Sequence, residues 1–414
     1  MMSINNLLVR RQLPSLALLW AVSFLFCAPK VLASSVNIVA EFKPDFTRPG
    51  SSGFIDKTPV SGHCAIYNSC ASRGLTTVYL PYLETNYISI PANHGDPRQG
   101  AIVRISPDVK EIELSGPDGA IERLGFNISH YAIRYTTRPW ATTITGIPGA
   151  AAHDALWENG GWLSAPAGCQ IIEGYRATAY VDFLYSAAAG AHCAKMALYT
   201  IPSFRFEMVS IGYKMDFPNP LHMRNGTYRG SATYYSGPGK DIDFGDVSAS
   251  IDSELVFEFV LQVHHALRIS VSPGAENVSL KPPLGWGAWT AHSVGPDKLV
   301  AEQKFEISTS GDFKIQLKCQ YLMGSQCAIA NPVGHQVPVE TLVTLPAGLT
   351  MAGAPINRQV LSVGSTVEVS AARYMESGHA SLDFEVDQKS VTEMLSYRGS
   401  TYNGDVTIVW DSNI

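Results

Sequence analysis

The sequence predicts an all-β protein built as two β-sandwich domains. Leu255, Phe257, Phe259, Leu261 and Val263 alternate with Glu258 and Gln262, and Phe313, Ile315, Leu317, Cys319 and Tyr321 alternate with Lys314, Gln316, Lys318 and Gln320. Period two held over nine residues marks a strand with one buried face. Turn formers punctuate the whole chain, with 35 Gly and 25 Pro, and 414 residues are enough for two cores.

From the amino end, Arg10 and Arg11 precede an apolar run from Leu16 to Ala28, and Val31, Leu32 and Ala33 supply the small residues of a cleavage site. This pattern reads as a secretory leader, with Ser34 the first mature residue. The run is too short for a committed membrane span. Removing the leader takes Arg10, Arg11 and Lys30 with it, so the formal charge goes from -6 to -9, and no basic surface of nucleic-acid type is implied.

In the first half, segments near 76–90, 102–114, 124–136, 175–185 and 195–214 read as strands interrupted by Gly, Ala and Pro. "DFPNPLHMRNG" at 216–226 has linker composition and sets a boundary near Pro220, giving domains at 34–218 and 221–414. In the second half, strands are expected near 228–235, 255–263, 267–272, 313–321, 339–345, 366–370, 382–386 and 402–410. The single helical signal is Ser390-Val391-Thr392-Glu393, a capping-box pattern followed by Met394 and Leu395.

Cys27 leaves with the leader, so six cysteines enter an oxidising compartment. Fifteen pairings are open, and near neighbours are the economical choice: Cys64 with Cys70, Cys169 with Cys193, Cys319 with Cys327. No C-x-x-C or His-rich tract accompanies them, which argues against a metal site.

No nucleophile elbow, zincin, Walker or dinucleotide motif occurs, and no cofactor is implied. "GPGKDIDFGD" at 237–246 lacks both Walker spacing and the closing Glu of an EF-hand loop, so it reads as a turn before a strand. His264 and His265 are read as lying inside the strong strand that begins at Leu255, and as adjacent strand residues they point to opposite faces, one buried and hydrogen-bonded, one solvated. The sequons at Asn127, Asn225 and Asn277 are near chance for this length.

Binding chemistry concentrates in two stretches. "HYAIRYTTRPW" carries Arg134, Tyr135, Arg138 and Trp140, and "HDALWENGGW" carries His153, Asp154, Trp157 and Trp162. Aromatic faces stack on sugar rings while Arg, Asn and Asp meet hydroxyls or a carboxylate. The plainer reading is that each tryptophan fills a core. A glycoside hydrolase would need two carboxylates across a cleft, for which Asp154 and Glu158 are the nearest pair.

The segment "TYNGDVTIVW", with Val406, Ile408 and Trp410 on one face and Asp405 and Thr407 on the other, places the best-formed alternating strand at the carboxyl end. It resembles the C-terminal strand of chaperone-usher fimbrial subunits of Gram-negative bacteria. "GTYRGSATYYSGPGKDIDFG" at 226–245, followed by the 255–263 strand, is similar to the start of the pilin domain in two-domain fimbrial tip adhesins. The resemblance covers about 221–414. It implies an immunoglobulin-like sandwich lacking its last strand, which a periplasmic chaperone and then the next fimbrial subunit supply.

By resemblance Tyr402, Val406, Ile408 and Trp410 line that groove, the Ile414 carboxylate meets basic residues of the chaperone, and an outer-membrane usher assembles the fibre. The first domain would bind a host glycan or protein receptor at the cell surface, reached through the periplasm. Val36, Ile38, Ala40 and Phe42 alternate just after the leader, as a donor strand would, which keeps open an internal structural subunit. A tip subunit instead uses its first strand in its own binding domain.

Overall fold

A computed structural model describes residues 34–46, 53–273, 277–287 and 297–412. The expected leader at 1–33 and Ile414 lie outside the described residues. The chain is nearly all β and forms two β-sandwich domains with separate apolar cores.

In chain order the first core draws on β1 (Ser34–Phe42), β2 (Ile55–Asp56), the short helical turns α1 (His63–Ile66) and α2 (Ser69–Ser72), β3 (Val78–Tyr79), β4 (Ile88–Ile90), β5 (Ala101–Ile105) and β6 (Lys110–Ser115). Then come the 18-residue β7 (Ile121–Arg138), the turns α3 (Ala141–Thr145) and α4 (Ala152–Ala155), β8 (Ile171–Arg176), β9 (Tyr180–Ser186), β10 (Cys193–Lys195) and β11 (Ile201–Asp216). Three more strands complete it: β12 (Gly226–Tyr235), β13 (Ile242–Asp243) and β14 (Glu254–Val263).

Eleven of these strands form one sheet in the order β2-β1-β14-β12-β6-β7-β11-β3, with β4 also on β11, β9 on β7 and β8 on β9. The order β10-β5-β13 forms a second, three-stranded sheet. Alternation decides what is buried: Leu124, Phe126 and Ile128 of β7, Ile112 and Leu114 of β6, and Leu255, Phe257, Phe259, Leu261 and Val263 of β14 enter one core.

The boundary expected near Pro220 does not separate the two cores. Thr227–Tyr235 pair antiparallel with Glu254–Gln262, and Arg229 meets Ser115 of β6, so β12 and β14 continue the first sheet. Tyr228, Tyr234, Phe257 and Phe259 accordingly lie in the first core. The stretch read as the opening of a second domain has linker composition before it, yet its apolar face finds partners in β6 and β7. The changeover falls at His264–Ala266, between β14 and the next strand. There His264 is exposed and His265 half-buried, its amide donating to Asn225 Oδ1 (2.5 Å) and its ring nitrogens meeting Ser310 Oγ (3.2 Å) and Met223 O (2.7 Å).

The second core uses β15 (Leu267–Val271), β16 (Leu299–Thr309), β17 (Phe313–Cys319), β18 (Tyr321–Met323), β19 (Gln326–Ala330), β20 (Gln336–Thr344), β21 (Leu349–Met351), β22 (Ala354–Pro355), β23 (Gln359–Leu361), β24 (Thr366–Ala371) and β25 (Met375–Val386). The helix α5 (Gln388–Leu395) and β26 (Val406–Asp411) follow. A seven-stranded sheet, β15-β16-β25-β20-β19-β18 with β23 on β20, faces the five-stranded β22-β21-β24-β17-β26. Phe305, Ile307, Val343 and Leu382 from the first of these pack on Phe313, Ile315, Leu317, Val367 and Val369 from the second.

Three disulfides are present among the described residues. Cys64–Cys70 ties α1 to α2, Cys169–Cys193 anchors a loop to β10, and Cys319–Cys327 joins β17 to β19, hence one sheet of the second sandwich to the other. Helix α5 begins one turn earlier than the capping-box pattern places it: Asp387 is the N-cap, its side chain accepting from Ser390 N (2.8 Å), so Ser390 is already helical. In "GPGKDIDFGD", Asp243 is buried and accepts from Gly239 N, Gly245 N and both terminal nitrogens of Arg98, which closes the turn around β13.

Candidate functional site

Strand alternation divides the eight residues that the sequence proposes for receptor contact. On β7 Tyr135 points inward while Arg134 and Arg138 point outward. Tyr135, His153, Trp157 and Trp162 are at most 1 % exposed and form part of the first core. Their placement corrects the surface reading for these four. Trp162 stacks on Phe183 (4.8 Å between centroids), and Trp157 lies edge-on to Tyr135 and Phe204.

Tyr135, His153 and Trp157 are joined in one hydrogen-bonded chain, whereas Trp162 Nε1 is buried with no hydrogen-bond partner among the described residues. Trp157 Nε1 donates to Tyr135 Oη (3.1 Å) and Tyr135 Oη donates to His153 Nδ1 (3.0 Å). His153 Nε2 then donates to Thr178 O (3.1 Å), which fixes the neutral tautomer. Burial lowers the His153 pKa in the same direction. The three linked groups hold an interior together, and all four side chains are buried away from the surface.

Arg134, Arg138, Trp140 and Asp154 do reach the surface. Asp154 pairs with Arg176. Trp140, at the N-cap of α3, is 57 % exposed. Arg138 lies over the ring of Tyr87 (5.1 Å), which Arg205 also approaches (4.8 Å), and Arg205 in turn pairs with Glu207 (2.5 Å) and Glu84 (3.8 Å).

Arg134 is the best organised of the four. Its Nε and Nη2 make a bidentate pair with Asp182 (2.7 and 2.9 Å), and its guanidinium stacks on Tyr180 at 3.7 Å. Tyr67 Oη donates to the same carboxylate at 2.5 Å. The hydrogen bond to Asp182 raises the Arg134 pKa, and burial followed by that carboxylate raises the Tyr67 hydroxyl. Tyr67, Tyr180 and Asp182 carry no signal in the sequence beyond residue type. Only the antiparallel register, which sets Arg134 opposite Asp182, brings them together.

The second candidate lies between two sheet edges. Among the described residues β26 pairs only with β17 (Ile315 opposite Trp410, Leu317 opposite Ile408), and β15 only with β16 (Ile269 opposite Ile307, Val271 opposite Phe305). Val406, Ile408 and Trp410 on β26 and Leu267 and Ile269 on β15 are half-buried, all against the same core. Trp410 reaches across to Phe305 of β16 and also touches Phe313. Among the described residues no strand lies between β15 and β26.

Tyr402 sits elsewhere. Its hydroxyl meets Asn331 Nδ2 (3.3 Å) and His335 Nδ1 (2.9 Å), and it packs on the smaller cluster of Val337, Val339 and Val391. The place expected for Ile414 lies outside the described residues.

No family model matches the chain, and no curated protein matches it. Among solved structures it is similar to CfaE, the adhesive subunit of CFA/I fimbria of enterotoxigenic Escherichia coli, with a TM-score of 0.27 and 8 % identity over 91 % of this chain and 92 % of that one. It is also similar to a chain of the CsuC–CsuE chaperone–tip adhesion subunit pre-assembly complex from archaic chaperone-usher Csu pili of Acinetobacter baumannii. There the TM-score is 0.23 and the identity 9 %, over 92 % of this chain and 98 % of that one. At these TM-scores neither likeness bears on function.

Proposed function

We propose that the protein is a non-catalytic tip adhesin of a chaperone-usher fimbrium. Its first domain binds a host glycan or protein receptor, and its second is an incomplete immunoglobulin-like pilin domain completed by a strand from another chain. The observation that carries this reading is the pair of edges β15 and β26. Both present half-buried apolar side chains to one core, with no strand of the described chain between them. Such edges recruit a foreign strand by main-chain pairing, with alternate side chains entering the cleft.

A periplasmic chaperone would fill the cleft first, an outer-membrane usher would mediate the exchange, and the next fimbrial subunit would replace the chaperone strand. Val406, Ile408 and Trp410 are the cleft residues from β26, with Leu267 and Ile269 from β15. The chain would act at the cell surface, reached through the periplasm.

The tip position, rather than an internal one, is supported by β1. Ser34–Phe42 pair parallel with Leu255–Val263, and Ile38, Ala40 and Phe42 are fully buried. A segment so engaged is unavailable as a donor to a neighbour.

Expression in the periplasm separates the possibilities. Alone the chain should be degraded or aggregate, while co-expression with its chaperone, or a donor peptide fused after Ile414, should restore soluble protein. Robust monomeric folding without either would count decisively against the proposal.

A further inference from the structure

Across the outer face of the first sheet the register lines up side chains from four strands. Tyr175 of β8 lies opposite Asp182 of β9, Asp182 opposite Arg134 of β7, and Arg134 opposite Glu207 of β11. Residues directly opposite in antiparallel strands share a face, so this row is continuous. Tyr67, from the turn between α1 and α2, leans over it. Its ring lies 5.9 Å from Tyr175, which is 6.2 Å from Tyr180. Tyr175 is 48 % exposed, and among the described residues β8 pairs only with β9, so the ladder of tyrosines opens at a sheet edge.

Two further features mark the spot. Tyr67, Arg134, Asp182 and Met208 line a small cavity of about 10 Å³, room for one hydroxyl-sized group. Met208 has φ +52°, in a bulge where the pairing of β11 with β7 shifts between Glu207 and Ser210. A methionine held in the left-handed region is strained by about 1–2 kcal/mol, and such strain clusters at binding sites.

We propose that this edge is a saccharide-binding subsite for an uncharged hexose ring. The ring stacks on Tyr175, and one hydroxyl enters the cavity toward the paired Arg134 and Asp182. The chemistry selects a neutral sugar because each guanidinium beside the row already faces a carboxylate: Arg134 with Asp182, Arg73 with Glu173, Arg176 with Asp154. Guanidiniums already paired in this way offer an acidic sugar little, while guanidinium donors and carboxylate acceptors in fixed geometry suit the vicinal hydroxyls of a hexose. This inference rests on the first domain being the receptor-binding one.

The test uses the full chain purified with its chaperone. The probe is an array of immobilised oligosaccharides ending in galactose, mannose, fucose or N-acetylglucosamine, beside sialylated counterparts. Wild-type protein should bind at least one neutral glycan. Tyr175→Ala, at an exposed position, and Arg134→Lys, which keeps the charge but loses the bidentate fork, should each weaken that binding by about tenfold or more. Tyr235→Ala, an exposed tyrosine on β12, should stay within about twofold, and melting curves of all variants report folding.

Binding restricted to sialylated glycans, no glycan binding at all, or undiminished binding by Tyr175→Ala would overturn the subsite. Adhesion of protein-coated beads to epithelial cells, measured in parallel, separates the two levels. Adhesion without glycan binding removes this subsite and leaves the adhesin reading standing, whereas absence of both counts against the adhesin reading as well.

Discussion

Trp410 of β26 lies edge-on to Phe305 of β16, with 5.4 Å between ring centroids and 61° between planes. The two residues belong to different sheets, so their contact spans the sandwich beside the β15 and β26 edges. Replacing Trp410 by Ala should remove half-buried contact area shared with Phe305 and Phe313. The cost should be roughly 2 kcal/mol, about half that of a fully buried aromatic. Urea unfolding of the second domain, complemented by a donor peptide, measures it.

Deleting residues 34–42 should disable the first domain itself. The loss would expose the β14 edge from Leu255 to Val263 and leave the neighbours of Ile38, Ala40 and Phe42 without packing. Limited proteolysis of the donor-complemented protein should show cleavage within 54–263 while the second domain resists. An internal subunit would instead lose polymerisation and keep a protected first domain.

Stability of the first domain should fall on acidification. Burial lowers the folded pKa of His153, and likewise of His130, below the ordinary 6.5. The unfolded chain therefore takes up protons first as pH drops. The contribution is complete above about pH 6.5 and is lost from there down toward the lower folded values. Chemical denaturation between pH 8 and 5 should show this slope. His153→Gln should be less stable overall and show a shallower slope, with the remainder due to His130.

Much of this architecture was legible in the chain, and the exceptions have physical reasons. The alternation of Leu255–Val263 and Phe313–Cys319 reports that each is a strand with one buried face. It says nothing of which strand lies beside it. That is why β12 and β14 read as the start of a second domain although they complete the first sheet. On β7 the period separates Arg134 from Tyr135, whereas Trp157 and Trp162 sit in a loop segment with no period to assign them a side. Their burial follows from contacts with Tyr135, Phe183 and Phe204, on β7, β9 and β11. The row from Tyr175 to Glu207 depends on the register of four strands, which no single segment encodes.

Asn225 joins the two sandwiches at the changeover. Its Oδ1 accepts from His265 N and its Nδ2 donates to Ser412 O (3.1 Å), just beyond β26. Asn225→Ala should cost about 1–2 kcal/mol. It should also raise amide exchange at the end of β26, as read by mass spectrometry on peptides covering 400–412.

The most direct measurement is hydrogen exchange along β15 and β26 in the full chain, before and after a donor strand is supplied. Amides of Leu267–Val271 and Val406–Asp411 that face the cleft should exchange rapidly in the uncomplemented protein and become protected to the level of β17 once the strand is bound. Equal protection of both edges without any partner would mean that the sandwich is already closed, and the proposed completion by a foreign strand would be contradicted.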